Sequence, residues 1–264
     1  MVRFVCLLLL AGILTACNPL PMNTPVADNG VLDILWVGDD QLLTGPLDMQ
    51  TLLLLELGGE KNPIQMDRAI NPRYTISTSV NDTDFLQSHE FLNQDIIIIQ
   101  AFGIQRDNSM IEFEENADSW DQALQVQGKE VVLFYPWFTS VDSESTKESY
   151  DEMVHKIAWQ QELTLVPVGP AWEAALEAKP DLPLYARDGI HPSALGVYLT
   201  ACVFYASLSG ESPIDNPVYT SIGFDNQDEI IKLDSDTVEF LQAIAWETIN
   251  EYLKKDEFRV IIKE

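Results

Sequence analysis

Two groups of residues in this 264-residue chain have types and spacings that suit chemistry. The first is Asp188-Gly189-Ile190-His191-Pro192. An Asp three residues before a His, in a loop that opens a helix, suits an acid–base pair. The His can act as general base, and the Asp can hold its ring in one tautomer and stabilise its cation. Pro192 fits the first turn of the following helix and stiffens the loop. The same spacing also arises by chance at helix starts. The second group is Gly38-Asp39-Asp40, which ends the apolar run Leu32 to Val37. A carboxylate there can attack a saturated carbon or activate water. It is a poor nucleophile toward an ester, because the acyl-enzyme would be an anhydride. Asp39, Asp40 and Asp188 gathered at one mouth would raise at least one pKa or attract a cation.

These residues need a scaffold, and the chain alternates strand-like and helix-like runs. Strands are expected over 31–37, 73–80, 95–100, 130–135 and 164–168. Helices are expected over 46–57, 84–92, 116–127, 145–163, 170–178 and 193–208. The isoleucines Ile96 to Ile99 fit a strand buried on both faces of a parallel sheet. The alternation predicts an α/β fold, a three-layer α/β/α sandwich around a five-stranded parallel sheet, plus a C-terminal helix over 236–253 and a short strand over 258–262. Ligands of such sheets bind beyond the C-terminal strand ends, where the strand order reverses. The interesting positions are therefore Asp39 and Asp40, the Asn81-Asp82 turn, Ala101 to Gln105, Trp137-Phe138 and Gly169 to Trp172. Trp137, Phe138 and Trp172 could form an aromatic wall for a sugar or acyl group, or pack in the core. The other histidines, His89 and His155, sit on helices without an acid–base partner set and read as surface or packing residues.

The two groups together resemble the SGNH, or GDSL-type, hydrolases. Further stretches carry the resemblance. Ile97-Ile98-Ile99-Gln100 is similar to a third-strand block of that family, and Val131 to Trp137 to its fourth strand. Val166 to Trp172 resembles the segment before the last helices, and His191 to Pro213 the closing helix. The likeness spans Val31 to Pro213 and implies a flavodoxin-like fold. It implies hydrolysis of esters or acetyl groups, often on carbohydrates, with Asp188 and His191 as the catalytic pair. It puts Asp40 where the nucleophilic serine belongs. Oxyanion or substrate roles fall on Gly38, Asp39, Asn81, Gln100, Gly103, Trp137 and Trp172. The chain departs from the pattern in two further places. Asn81-Asp82 stands where a glycine belongs, and Ala101-Phe102-Gly103 offers no asparagine before Asn108. Ser77, Ser79 and Ser109 do not follow the first strand, so none takes the serine's place.

The N-terminus bears on location. Arg3, the apolar run Phe4 to Leu14 and then Leu14-Thr15-Ala16-Cys17 resemble a bacterial lipoprotein signal. Residues 1–16 would be removed and Cys17 acylated, giving a membrane-anchored protein of the bacterial cell envelope. Residues 17–30, with Pro19, Pro21 and Pro25, read as a tether. Residues 31–210 form the hydrolase-like domain, and 211–264 an extension packed on it. The formal charge of −27 makes nucleic acid and anionic surfaces poor partners. The remaining partners are the membrane, through the lipid, and a small-molecule or glycan ester. Cys202 lies in an apolar run and reads as core. No Cys/His grouping has zinc spacing and no calcium loop is present, so neither metal nor cofactor is expected.

Overall fold

The apolar strands alternate at a period of two, and that alternation decides the two faces of the sheet. A computed structural model describes residues 31–38, 47–58, 63–70, 83–88, 93–101, 129–226 and 229–254. In chain order the elements are β1 Leu32–Gly38, α1 Leu47–Gly58, β2 Ile64–Ile70, the short α2 Thr83–Leu86, β3 Ile96–Gln100 and β4 Glu130–Tyr135. Then follow α3 Glu144–Gln160, β5 Thr164–Pro167, α4 Val168–Ala178, α5 Ala194–Ser209, β6 Thr220–Ser221, a 3-10 turn Phe224–Asn226, β7 Ile231–Lys232 and α6 Ser235–Leu253. Five strands form one parallel sheet in the order β2-β1-β3-β4-β5, and β6 and β7 pair antiparallel. The expected three-layer α/β/α sandwich is therefore the architecture seen.

One face carries Ile34, Trp36, Ile96, Ile98, Val132, Phe134 and Val166, packed under α1, α4, α5 and most of α6. The other carries Leu35, Val37, Ile97, Ile99, Leu133 and Leu165, packed under Tyr150, Met153, Val154 and Ile157 of α3. A strand covered on both faces must be apolar at every position, and β3 is fully buried along its length.

The second strand is a correction. The β-branched run 73–80, expected to be it, lies outside the described residues, and the partner of β1 is Ile64–Ile70. Its sequence, IQMDRAI, holds Gln65, Asp67 and Arg68 because it is an edge strand with partly exposed side chains. Arg68 Nε pairs with Asp48 Oδ2 of α1 at 2.9 Å. The expected helix 116–127 and strand 258–262 also fall outside the described residues.

Helix α5 has no polar face. Buried residues run through it from Ala194 to Leu208. Such a helix needs cover on every side. The sheet, α1, α4 and α6 all pack against it. Ser193 caps it, accepting from Leu195 N at 3.1 Å and Gly196 N at 3.3 Å, and Gly210 ends it at φ 74°. Helix α6 also reaches the opposite layer. Tyr252 stacks on His155 of α3 and its hydroxyl meets His155 Nε2 at 3.0 Å.

Gly196 tests how tightly this is built. A Cβ there would run into Leu184 O and come within 2.7 Å of the Trp172 ring. Helix propensity favours alanine over glycine by about 1 kcal/mol. Overpacking a rigid backbone contact costs about 1–3 kcal/mol, so the clash wins. Gly196→Ala is expected to lower the midpoint of thermal unfolding, and a raised midpoint would show that the helix can move away.

Candidate active site

Parallel strands put all their C-terminal ends on one edge. Here these are Gly38, Ile70, Gln100, Tyr135 and Pro167. The strand order reverses between β1 and β3, so the topological switch point, the usual place for a ligand in such sheets, falls at the end of β1, at Gly38. Gly38 is buried at the end of β1, and Gln100 is buried at the end of β3. Asp39, Asp40, Asn81, Gly103 and Cys17 lie outside the described residues.

Asp188 and His191 sit at the tip of a small hairpin leading into α5. Tyr185 and Pro192 form its bridge, with Ala186 N donating to His191 O and Ser193 N to Leu184 O, each at 2.8 Å. Gly189 turns the tip at φ 71°, a conformation that a side chain resists. A Cβ at this position would also strike Ser140 Oγ.

Within the tip, one carboxylate does most of the ordering. Asp188 Oδ1 accepts from Ile190 N at 2.9 Å and from His191 N at 3.0 Å. Its Oδ2 meets His191 Nδ1 at 2.5 Å. An ionised carboxylate only accepts, so Nδ1 donates to it, which in the neutral ring leaves the lone pair on Nε2. Among the described residues Nε2 has no hydrogen-bond partner. The His191 side chain is 15% exposed and Asp188 37%. Burial alone would raise the Asp188 pKa, but the hydrogen bonds from the His191 ring and from Ile190 N and His191 N outweigh it and hold the carboxyl below its ordinary value.

The hairpin is held on two sides. Just beyond β4, Trp137 Nε1 donates to Ile190 O at 2.9 Å, Ser140 N to Gly189 O at 3.1 Å, and Phe138 O accepts from Tyr185 OH at 2.8 Å. From the 3-10 turn, Phe224 N donates to Pro192 O at 3.0 Å, and Asp225 Oδ2 accepts from Arg187 N at 3.0 Å. The Phe224 ring lies flat on the His191 imidazole, with centroids 3.7 Å apart and planes 5° from parallel. The sequence gives no sign of Phe224 as a site residue. It lies far from His191 along the chain, in a stretch without regular periodicity.

The tryptophans correct the idea of an aromatic wall. Trp137 and Trp172 are each 1% exposed and Phe138 3%, so none lines a surface. Trp137 and Trp172 stack at 4.7 Å, and Trp172 meets Tyr185 edge-on at 4.9 Å. They lie beneath the hairpin because the strand-end segment 136–139 turns into the core, and they serve as its floor. His155 stands apart from the dyad, on Asp151 O at 2.7 Å and Tyr252. Among the described residues no group of three or more His, Cys, Asp or Glu side chains is placed to hold a metal ion.

No protein-family model matches the chain, and no curated protein matches it. Solved structures do. A DUF4886 family protein from Bacteroides uniformis is 14% identical, with a TM-score of 0.60 over 87% of this chain and 97% of that one. An alpha/beta hydrolase enzyme from the metagenome of Lake Arreo, Spain, is 18% identical, with a TM-score of 0.52 over 66% of this chain and 94% of that one. A candidate SGNH hydrolase from Slackia heliotrinireducens is 20% identical, with a TM-score of 0.49 over 66% of this chain and 97% of that one. At these identities the likeness is one of fold: a five-stranded parallel sheet between helix layers, shared with the DUF4886 family protein and the Lake Arreo hydrolase.

Two outcomes follow from the geometry. Trp137→Phe keeps a ring on Trp172 but leaves Ile190 O without its donor. The expected loss is about 1–2 kcal/mol in chemical denaturation, and an unchanged midpoint would mean that the floor does not hold the loop. A carboxyl with a depressed folded pKa stabilises the fold above the ordinary carboxylate pKa, and that contribution is lost as pH falls through the depressed value. The melting-temperature gap between wild type and Asp188→Asn should therefore be constant near neutrality and close below the ordinary carboxylate range. A gap independent of pH would remove the Asp188 charge from the account.

Proposed function

We propose that this chain is a lipid-anchored, hydrolase-like protein of the bacterial cell envelope whose site is built for ester or acetyl-ester hydrolysis. The observation that carries the proposal is the Asp188–His191 pair, with Nδ1 held at 2.5 Å and Nε2 without a partner among the described residues. That is the arrangement of a general base. The fold shared with an alpha/beta hydrolase enzyme at a TM-score of 0.52 supports the same reading. In the proposed step His191 Nε2 takes a proton from water as the water oxygen attacks the acyl carbon. The carbon–alkoxy bond then breaks, and the same proton passes to the leaving alkoxide. The products are a carboxylic acid and an alcohol. Asp40 stands where the resemblance places a serine, and its role is to orient that water by accepting a hydrogen bond. An acyl group on Asp40 itself would be an anhydride, so covalent catalysis there is disfavoured. The substrate class is a small-molecule or glycan ester. The lipid on Cys17 is the membrane contact.

The aspartate at position 40 also favours a second reading, in which the chain binds an acylated or glycan ligand and does not turn it over. The two readings separate in one assay. Short-chain aryl esters and acetylated sugars are offered to wild type, Asp40→Ser and His191→Ala. Activity in wild type that His191→Ala abolishes supports the hydrolase. A silent wild type with an active Asp40→Ser identifies a hydrolase scaffold that has lost its nucleophile, and the binding reading then stands. Silence in all three also removes the catalytic reading.

A further inference from the structure

The Asp188–His191 bond fixes one end of the imidazole and leaves the ring a hinge. A single hydrogen bond at Nδ1 lets the ring plane swing about the line to Asp188. Phe224 closes that freedom, because its ring lies 3.7 Å from the imidazole and 5° from parallel. The phenyl ring is itself held. Its backbone N donates to Pro192 O at 3.0 Å, next to the histidine. On one side Gly223 passes so close to α5 that a Cβ would fall 2.5 Å from Ala194 N. On the other side Asp225 Oδ2 accepts from Arg187 N at 3.0 Å, next to Asp188. The 3-10 turn is thus tied to both ends of the hairpin tip, and the ring between the ties covers the histidine.

An ordinary packing residue would look different. Phe224 is only partly buried and belongs to neither hydrophobic core. Its ring contact among the described residues is His191. We propose that Phe224 is a positioning residue that fixes the plane of the His191 imidazole, so that the extension after residue 211 completes the site. The kinetic half of this proposal rests on the hydrolase reading; the geometric half does not.

The test uses the full-length chain, labelled with nitrogen-15 at its three histidines, with His191→Gln to assign the signals. Wild type is expected to show nuclear Overhauser contacts between the two rings, upfield-shifted His191 ring protons and a single tautomer protonated at Nδ1. Phe224→Leu should keep that tautomer, which Asp188 sets, but lose the upfield shift and show nuclear Overhauser contacts of the His191 ring averaged over more than one orientation, while Phe224→Tyr should keep the shift and a single orientation. On any ester that wild type turns over, Phe224→Leu should lower kcat by about 10- to 100-fold with KM little changed, as expected for a misplaced catalytic group. Phe224→Tyr should recover most of that loss. The proposal is overturned if wild type lacks the ring contacts, or if Phe224→Leu folds and keeps a single His191 ring orientation. Should Phe224→Leu not fold, the wild-type ring contacts and the His191 ring orientation in Phe224→Tyr decide the matter. A wild type that hydrolyses nothing ends the hydrolase reading, and the spectra still judge Phe224.

Discussion

Burial of the central strands on both faces is the constraint from which the molecule follows. β1, β3 and β4 expose no side to water, so helices must cover both faces of the sheet. Parallel strands need crossovers, and the crossovers put every C-terminal strand end on one edge. The hairpin with Asp188 and His191 docks on that edge, just past β4. Fully burying one isoleucine or leucine side chain contributes roughly 1.5–3 kcal/mol. A single internal hydrogen bond contributes about 0.5–1.5 kcal/mol. The apolar layers therefore supply the stability, and the polar contacts of the hairpin supply its geometry.

The extension answers the same constraint. α5 is apolar all round and would present a greasy surface if the chain ended after it. α6 covers that surface with Val238, Leu241, Ala245 and Ile249. Between the two helices the chain must cross the face where the hairpin emerges, and Gly223 to Asp225 fall there. Cover for the core thus brings a ring and a carboxylate to the dyad.

What the sequence made legible tracks how strongly each feature depends on local pattern. The runs of β1, β3, β4 and α5 are plain because they are apolar almost throughout, and α3, α4 and α6 because their buried residues recur at about 3.6. Asp188 and His191 are legible too, since their contact spans one turn of chain. The edge strand Ile64–Ile70 is not, because half-exposed edges carry polar residues and lose the strand signal. The tryptophans mislead for another reason. Position at a strand end says that a side chain is near the crevice, and the turn of segment 136–139 decides whether it faces in or out. The stack of Phe224 on His191 is tertiary, set by how the extension crosses α5, and no local rule reaches it.

Among the described residues, the dyad is built without contacts from β1. Each hydrogen bond that Asp188 and His191 make arises inside the hairpin, and the hairpin's described supports come from the segment after β4 and from the 3-10 turn. None of these supports involves a residue at the end of β1. A change at Gly38, the described end of β1, therefore touches none of the described contacts of Asp188 and His191. Loss of the pair would instead need damage to the turn at Gly189, the floor at Trp137 or the cover at Phe224. The Asp188–His191 geometry is thus set by the hairpin's own turn and by two supports far from it in sequence, the segment after β4 and the 3-10 turn.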